Sequence, residues 1–187
     1  MTRVLALLIA VFLTFNARSA FAQYVDTRDF MGFSPNFTSA NPIPREVVYF
    51  HSRYAPGTIV ISTSERRLYL VLPDGRALRY GIGVGRDGFR WGGVHRISAK
   101  KEWPDWTPPA QMLRRRPDLP RFMKGGIDNP LGARAMYLGS TLYRIHGSNE
   151  PETIGQAVSS GCFRMTNEDV KDLYDRVSVG TTVVVNN

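Results

Sequence analysis

The sequence predicts a mainly β, sandwich-like domain with one or two helices over residues 57–187 of the 187-residue chain. Three observations carry this prediction. Short segments rich in β-branched or alternating apolar residues recur along the chain, turn-forming residues separate them, and one amphipathic helical segment lies near the end. The composition, 43% hydrophobic and 21% charged, is that of an ordinary globular domain and excludes bulk disorder.

The predicted strands begin at residue 58. A run of β-branched residues at 58–63 is followed by alternating leucines at 67–72, and Pro73-Asp74-Gly75 then provides a turn. With the next predicted strand these segments form a meander. The strands predicted further along the chain are residues 77–84, 94–99, 136–138, 142–145 and 181–185.

The clearest helix follows Thr166, which is a good N-cap residue, and Asp169 three positions later makes a shortened capping box. Gly180 provides a stop signal. Four apolar residues with helical spacing predict one buried face, namely Val170, Leu173, Tyr174 and Val177.

The first 22 residues have the pattern of a cleaved signal peptide. Arg3 precedes an uncharged, largely apolar run at 4–15, and Ala20-Phe21-Ala22 matches a signal peptidase site. An uncleaved membrane anchor is the alternative, but a run of this length is short for a span of about 20 residues. We therefore expect export, with no stable membrane anchor after cleavage.

Two segments lack a regular pattern. Residues 23–56 carry several prolines among Asn and Ser, which predicts an extended arm or linker. Residues 100–132 contain the proline-rich run 103–109 and the arginines 114–116, which predicts an irregular loop. Solvated charges on a surface loop explain this second segment, but long loops in compact domains are often binding loops or lids.

The chain is basic, with 24 Lys and Arg against 16 Asp and Glu and a net charge of +8. Loss of Arg3 and Arg18 with the signal peptide would lower this charge to +6. A basic exported protein suits an anionic environment such as a bacterial envelope. Export argues against nucleic acid as a partner, and net charge alone identifies no ligand.

The sequence context disfavours two common kinds of site. Residues 83–88 match G-x-G-x-x-G after a predicted strand, but the residues that follow are not helical, so a dinucleotide site lacks its helix N-terminus. His51, His95 and His146 are far apart, and no H-x-x-x-H or C-x-x-C spacing occurs. The sequence therefore predicts no metal site and no bound nucleotide.

Cys162 is the only cysteine in the chain. Exported proteins usually carry paired cysteines, so a lone thiol is either a small buried hydrophobic residue or a group kept for chemistry. Without further context the first interpretation is slightly favoured. A redox role would need a second cysteine to resolve a mixed disulfide, and the sequence has none.

The surroundings of Cys162 favour chemistry. His146 lies at the end of a predicted strand, and Cys162 lies in a glycine-containing turn just before the predicted helix. A nearby histidine lowers the pKa of a thiol by forming an ion pair with the thiolate. Gly161 would let the backbone approach a substrate closely, and backbone N–H groups around Ser160, Gly161 and Cys162 would form an oxyanion hole.

Two motifs carry a resemblance to a known family. His146-Gly147-Ser148, followed by Ser159-Ser160-Gly161-Cys162-Phe163-Arg164-Met165, resembles the active-site signature of the L,D-transpeptidase catalytic domain, also called the YkuD domain. Flanking segments at 103–109, 129–136 and 167–170 agree, so the resemblance covers about residues 58–186.

The resemblance implies a peptidoglycan enzyme that needs no cofactor. Cys162 would attack the carbonyl of the third residue of a stem tetrapeptide, usually meso-diaminopimelate linked to D-alanine. His146 would act as base and then as acid, oriented by the backbone carbonyl of Gly147. An acceptor amine, such as the side chain of another diaminopimelate, would resolve the thioester and give a 3→3 cross-link.

The resemblance also implies substrate contacts beside the nucleophile. Arg164 would pair with a substrate carboxylate or form a structural ion pair, and its fork geometry suits both uses equally. Tyr143, Arg144 and Ser148 are further candidates for substrate contacts. Ser160 is another, and it departs from the many family members with histidine there; because that histidine is not the general base, the departure concerns substrate contacts.

Three alternatives fit part of this pattern. With water as acceptor the enzyme would be an L,D-carboxypeptidase, and with a protein amine it would attach an outer-membrane protein to the wall. With an inert, buried Cys162 the domain would be a non-catalytic wall-binding module. The sequence does not separate transfer from hydrolysis, because both share the first half-reaction. In each case we expect a periplasmic protein whose partners are peptidoglycan stem peptides.

Overall fold

A computed structural model describes residues 42–187, which fold into eleven strands, two α-helices and one 3₁₀ turn. The mainly β prediction with one or two helices is confirmed. The elements are β1 (Glu46–Tyr49), β2 (Ile59–Ser62), β3 (Arg67–Leu72), β4 (Arg76–Gly81), β5 (Val84–Gly85), β6 (Gly93–Glu102), α1 (Ala110–Arg115), β7 (Arg134–Leu138), β8 (Arg144–His146), the 3₁₀ turn Pro151–Thr153, β9 (Ala157–Ser159), β10 (Phe163–Arg164), α2 (Asn167–Arg176) and β11 (Thr182–Asn186).

Nine of these strands are hydrogen-bonded in the order β1-β4-β3-β2-β11-β6-β7-β8-β10. Two pairs in this sheet are parallel, β2 with β11 and β8 with β10, and the other pairs are antiparallel. β5 and β9 form a separate parallel pair. Both short parallel pairs, β8–β10 and β5–β9, flank the segment that contains Cys162.

The long strand β6 joins the two halves of the sheet. Its first residues pair with β11 and its last residues pair with β7, and the register shifts between Ile97 and Ala99. Apolar side chains from both halves and from α2 meet in one core. Its fully buried members include Ile59, Leu68, Tyr80, Met136, Ile145, Phe163 and Leu173.

Helix α2 forms where the sequence predicts it. The Thr166 hydroxyl accepts a hydrogen bond from the Asp169 backbone N–H at 3.1 Å, which satisfies one of the unpaired donors at the helix start. Val170 and Leu173 are fully buried in the core. The predicted cap therefore begins this helix, and the predicted apolar face packs it against the core.

Part of the segment predicted as an arm or linker is a strand. β1 pairs antiparallel with β4 and forms the edge of the sheet. Its side chains are exposed or half-exposed, so no apolar alternation marks it in the sequence. Backbone pairing, which the sequence pattern does not report, holds this strand in place. The predicted signal peptide at residues 1–22 lies outside the described residues.

The segment 100–132 is more regular than predicted. β6 extends to Glu102, and α1 forms directly after the proline-rich run, with Pro109 at its N-cap position. Proline is compatible with a helix start, because the first N–H groups of a helix have no intrahelical partner. The rest of the segment is irregular, as the sequence predicts.

The strand predicted over 77–84 is divided. β4 ends at Gly81, and Val84–Gly85 pairs with β9 instead. At Gly83 the backbone exchanges hydrogen bonds of 2.9 Å with Arg164 in both directions. A Cβ at Gly83 would lie 3.0 Å from the Thr153 carbonyl O, so a side chain here would press against the neighbouring backbone.

Within residues 42–187 no helix combines the length and apolar character needed to cross a membrane.

Candidate active site

Parallel pairing of β8 and β10 brings the predicted Cys/His pair together. Arg164 pairs with His146, so Cys162, two residues earlier, comes beside Arg144. Residues two apart on a strand point to the same face, which puts the side chains of Cys162 and His146 on the same side of the sheet. This register makes Cys162 and His146 diagonal neighbours at the adjoining ends of β10 and β8.

Both side chains line one cleft of about 970 Å³. His146 is only 5% exposed, whereas Cys162 is partly exposed at the cleft surface. The segment between β6 and β7 supplies much of one wall, including Trp106, Met112 and Leu119. Of the two interpretations that the sequence leaves open, a solvated surface loop and a binding loop, this placement favours the binding loop.

The ring of His146 is oriented by its own chain. Nδ1 lies 2.6 Å from the backbone carbonyl O of Gly147. Because a carbonyl only accepts, Nδ1 carries the proton and Nε2 is free to accept one, as a general base must. A Cβ at Gly147 would overlap Oδ1 of Asn167, and that Oδ1 accepts the Ala133 N–H at 2.8 Å. Glycine at 147 is therefore required by packing.

Ser159 organises the turn that carries Cys162. Its buried hydroxyl donates to the Cys162 carbonyl O at 2.6 Å and accepts from the Gly161 N–H at 3.1 Å. Of the predicted oxyanion donors, Gly161 is thus already engaged inside the turn. Among the described residues the backbone N–H groups of Ser160 and Cys162 have no hydrogen-bond partner, so these two are the candidate oxyanion donors.

Trp91 holds the same turn from outside, and sequence reasoning missed it. Its indole N–H donates to the Gly161 carbonyl O at 2.6 Å. Its ring stacks on Tyr143, with the ring centroids 4.4 Å apart and an interplanar angle of 10°. Trp91 precedes β6 in a loop without a recognisable pattern, so no signal in the sequence indicates this contact.

Burial sets the protonation of both central groups. It lowers the pKa of His146 to about 3, although the hydrogen bond to Gly147 acts in the opposite direction. It raises the pKa of the Cys162 thiol, while the charges of Arg144 and Arg164 act to lower it. At neutral pH the resting pair is therefore a thiol beside a neutral imidazole, not the thiolate–imidazolium pair expected from the sequence.

Alkylation of Cys162 by iodoacetamide is expected to accelerate with pH, about tenfold per unit between about pH 6 and 8, because only the thiolate reacts. The raised pKa of the thiol means that the thiolate fraction is still growing throughout this range. The rate is measured by intact mass, with N-acetylcysteine in parallel. A rate that is constant across neutral pH would instead indicate a preformed thiolate.

Two arginines lie on the cleft wall beside Cys162. Arg164 donates to Glu150 Oε2 at 2.8 Å and so forms the structural ion pair that was one of its two predicted roles. The guanidinium of Arg144 lies 5.2 Å from the ring centroid of Tyr137, and its Nε is buried without a partner among the described residues. Both positive charges act to lower the pKa of the Cys162 thiol.

The other predicted contact residues divide into two groups. Tyr143 and Ser160 line the cleft, where their contact with a substrate stays a prediction. Ser148 does not: it is 3% exposed, and its hydroxyl accepts the Glu150 backbone N–H at 2.9 Å. Ser148 therefore shapes the turn that carries Glu150 rather than meeting a ligand directly.

The described residues contain no group of three or more His, Cys, Asp or Glu side chains that could hold a metal ion.

Comparison with known proteins decides the family. Residues 56–185 match the L,D-transpeptidase catalytic domain, YkuD. The chain belongs to the L,D-transpeptidase family. The resemblance drawn from the motifs around His146 and Cys162 is thereby confirmed.

Relatives of this L,D-transpeptidase agree in sequence and fold. The probable L,D-transpeptidase ErfK/SrfK of Escherichia coli is 38% identical over 166 residues, which cover 82% of this chain and 51% of the relative. The chain spans about half the length of the curated relatives it matches first. The catalytic domain of an Enterococcus faecium L,D-transpeptidase, 20% identical, has the same fold with a TM-score of 0.55, covering 72% of this chain and 100% of that domain.

One solved structure carries a different description. A protein from Brucella melitensis, described as a probable carnitine operon oxidoreductase, is 47% identical and has a TM-score of 0.52. The match covers 86% of this chain and 99% of that one. In the present L,D-transpeptidase, Cys162 has no second cysteine as a redox partner.

Proposed function

We propose that this L,D-transpeptidase is a periplasmic acyltransferase of peptidoglycan, with Cys162 as nucleophile and His146 as general base. The observation that carries the proposal is the bond between His146 Nδ1 and Gly147 O. It fixes the tautomer in which Nε2 accepts a proton, on a strand adjacent to Cys162 and in the same cleft. This is the arrangement of nucleophile, base and orienting group found in acyl-transfer enzymes.

In the first half-reaction, Nε2 of His146 takes the thiol proton as Sγ of Cys162 bonds to the carbonyl carbon of diaminopimelate. The charge that develops on the carbonyl oxygen is stabilised by the backbone N–H groups of Ser160 and Cys162. The carbon–nitrogen bond to D-alanine then breaks, and the imidazolium returns its proton to the departing amine. A thioester on Cys162 and free D-alanine result.

Because both groups are neutral at rest, proton transfer accompanies attack instead of preceding it. The positive charges of Arg144 and Arg164 lower the cost of forming a thiolate in this buried setting, since both act to lower the pKa of Cys162. These two residues therefore assist the nucleophile even where they do not touch substrate.

In the second half-reaction an amine attacks the thioester. His146 removes a proton from the attacking nitrogen, and the thiolate leaves and is reprotonated. An amine as acceptor is favoured over water by the cleft wall, where Asp128 and Glu152 have no cationic partner among residues 42–187. Their charges attract a protonated amine to the site, and this amine releases one proton to solvent before it attacks as the neutral amine. With a diaminopimelate side chain as acceptor the product is a 3→3 cross-link.

The decisive experiment combines covalent trapping with product analysis. The Enterococcus faecium catalytic domain is described as acylated by ertapenem. We expect the purified protein to gain one ertapenem mass, and Cys162→Ala to gain none. With disaccharide tetrapeptide as substrate, liquid chromatography and mass spectrometry should show D-alanine release and cross-linked dimers.

The products separate the competing functions. Tripeptide without dimer would indicate hydrolysis in place of transfer. An unmodified parental protein that releases no D-alanine would indicate a non-catalytic domain, and an adduct that persists in Cys162→Ala would exclude Cys162 as the nucleophile.

A further inference from the structure

Two arginines share one aromatic ring on the cleft wall, outside the residues used in the reaction. The guanidinium carbon of Arg86 lies 4.7 Å from the ring centroid of Phe89, and that of Arg115 lies 4.9 Å from it. All three residues line the cleft that contains Cys162. Arg86 and Phe89 come from the loop after β5, and Arg115 comes from the last turn of α1.

No acidic side chain within the described residues forms an ion pair with this cluster. The acids nearest to it in sequence are already paired: Asp87 lies 3.1 Å from Arg90, and Asp118 lies 2.6 Å from Arg116. Arg86 and Arg115 form no ion pair within residues 42–187. Since each is within 5 Å of the same ring centroid, the two guanidinium groups are no more than about 10 Å apart. Two like charges held this close favour an anion beside them.

Backbone contacts fix the cluster to the turn that carries Cys162. The Arg86 N–H donates to the Ser159 carbonyl O at 3.1 Å. At the preceding residue, Gly85, a Cβ would lie 3.2 Å from Gly161 Cα, so the two segments are in direct contact. A ligand carboxylate held by Arg86 and Arg115 would therefore belong to a substrate lying in the cleft.

We propose that Arg86, Phe89 and Arg115 form a binding site for one carboxylate of the stem peptide. The proposal rests on the function proposed above and adds a residue set that selects the substrate. Guanidinium groups bind carboxylates through paired N–H donors, and stacking on an aromatic face reduces the side-chain freedom that binding would remove. The unpaired positive charge favours a carboxylate as ligand, and the position on the cleft wall favours a carboxylate of the substrate.

A purely structural role for the cluster makes a different prediction. In that case the ring of Phe89 only ties the loop after β5 to α1, and Arg115 interacts with the carbonyl end of this short helix. Loss of the arginines would then affect stability, or weaken every ligand equally. It would not depend on whether a particular carboxylate of the ligand is charged.

The test uses this dependence. Binding of L-Ala-γ-D-Glu-meso-diaminopimelate-D-Ala to the Cys162→Ala protein is measured by calorimetry, with the free peptide and with three analogues, each amidated at one carboxylate. Arg86→Gln/Arg115→Gln is expected to weaken binding of the free peptide about 10- to 100-fold, the range for hydrogen bonds between charged groups. One amidated analogue should bind the parental protein weakly and lose nothing further in the double variant.

Arg90→Gln/Arg114→Gln is the matched control, because it removes the same charge from the same two segments but changes residues outside the cleft wall. It is expected to bind like the parental protein. An equal loss of peptide affinity in this control would mean that general electrostatic attraction explains the effect, and it would overturn the proposal. Unchanged binding in the Arg86/Arg115 variant, or equal losses for all three analogues, would also overturn it.

The two proposals fail in different ways. If the parental protein releases D-alanine but the Arg86/Arg115 variant binds every peptide normally, only the carboxylate site is wrong. If the parental protein neither binds the stem peptide nor releases D-alanine, the proposed function is wrong, and the proposed carboxylate site is then wrong as well.

Discussion

His146→Gln is expected to slow acylation of Cys162 by ertapenem about 1,000-fold, within the usual range for removal of a general base. Both central groups are neutral at rest, because burial lowers the pKa of His146 and raises that of Cys162. The thiol then depends on Nε2 of His146 to remove its proton during attack. An amide of similar size cannot accept that proton, so the loss corresponds to about 4 kcal/mol of barrier.

The rate is measured by intact mass at neutral pH, with circular dichroism to confirm the fold. His51→Gln is the control, since it makes the same change at an exposed histidine that does not line the cleft. It should acylate at the parental rate. A reduction of less than tenfold in His146→Gln would mean that another group activates the thiol.

Gly161→Ala is expected to disrupt the nucleophile turn, with acylation reduced at least about 100-fold and the free energy of unfolding lowered by about 2–5 kcal/mol. Gly161 has φ of +107°, a conformation that L-residues rarely adopt. A Cβ there would also overlap Cε1 of Tyr143. Tyr143 cannot easily withdraw, because its ring is stacked on Trp91, which in turn binds the Gly161 carbonyl.

Gly88→Ala separates the two causes. Gly88 has φ of +80°, but a Cβ there would meet nothing within 4 Å. This variant should therefore show only the backbone cost, about 1 kcal/mol, and keep normal acylation. Urea unfolding and the acylation rate are measured for both variants. Equal behaviour of the two would show that contact with Tyr143 does not matter.

Several contacts in the site arise from close packing, and no sequence motif predicts them. Ser159 closes the turn through two hydrogen bonds, and Asn167 lies against Gly147. Ser159 was visible in the signature, but its bonding to both Gly161 and Cys162 was not. Trp91 lies far from either motif in the sequence, so its contact with Gly161 depends on the path of the chain in three dimensions.

Local patterns determined much of this protein in advance. Alternation of apolar residues predicted most strands, and Thr166 with the apolar face behind it predicted α2, because these signals depend on neighbours within a few residues. The lone Cys162, His146 and the glycine-containing motifs around them were enough to indicate the family. Each of these features depends on residues that are close together in the sequence.

Tertiary structure decided what depends on distant partners. β1 is an edge strand because β4 offers unpaired backbone groups, not because its own residues alternate. Burial, which is a property of the assembled core, made the resting pair of Cys162 and His146 neutral and withdrew Ser148 from the cleft. Sequence thus specified which groups the site contains, and packing determined their protonation and which of them a substrate can reach.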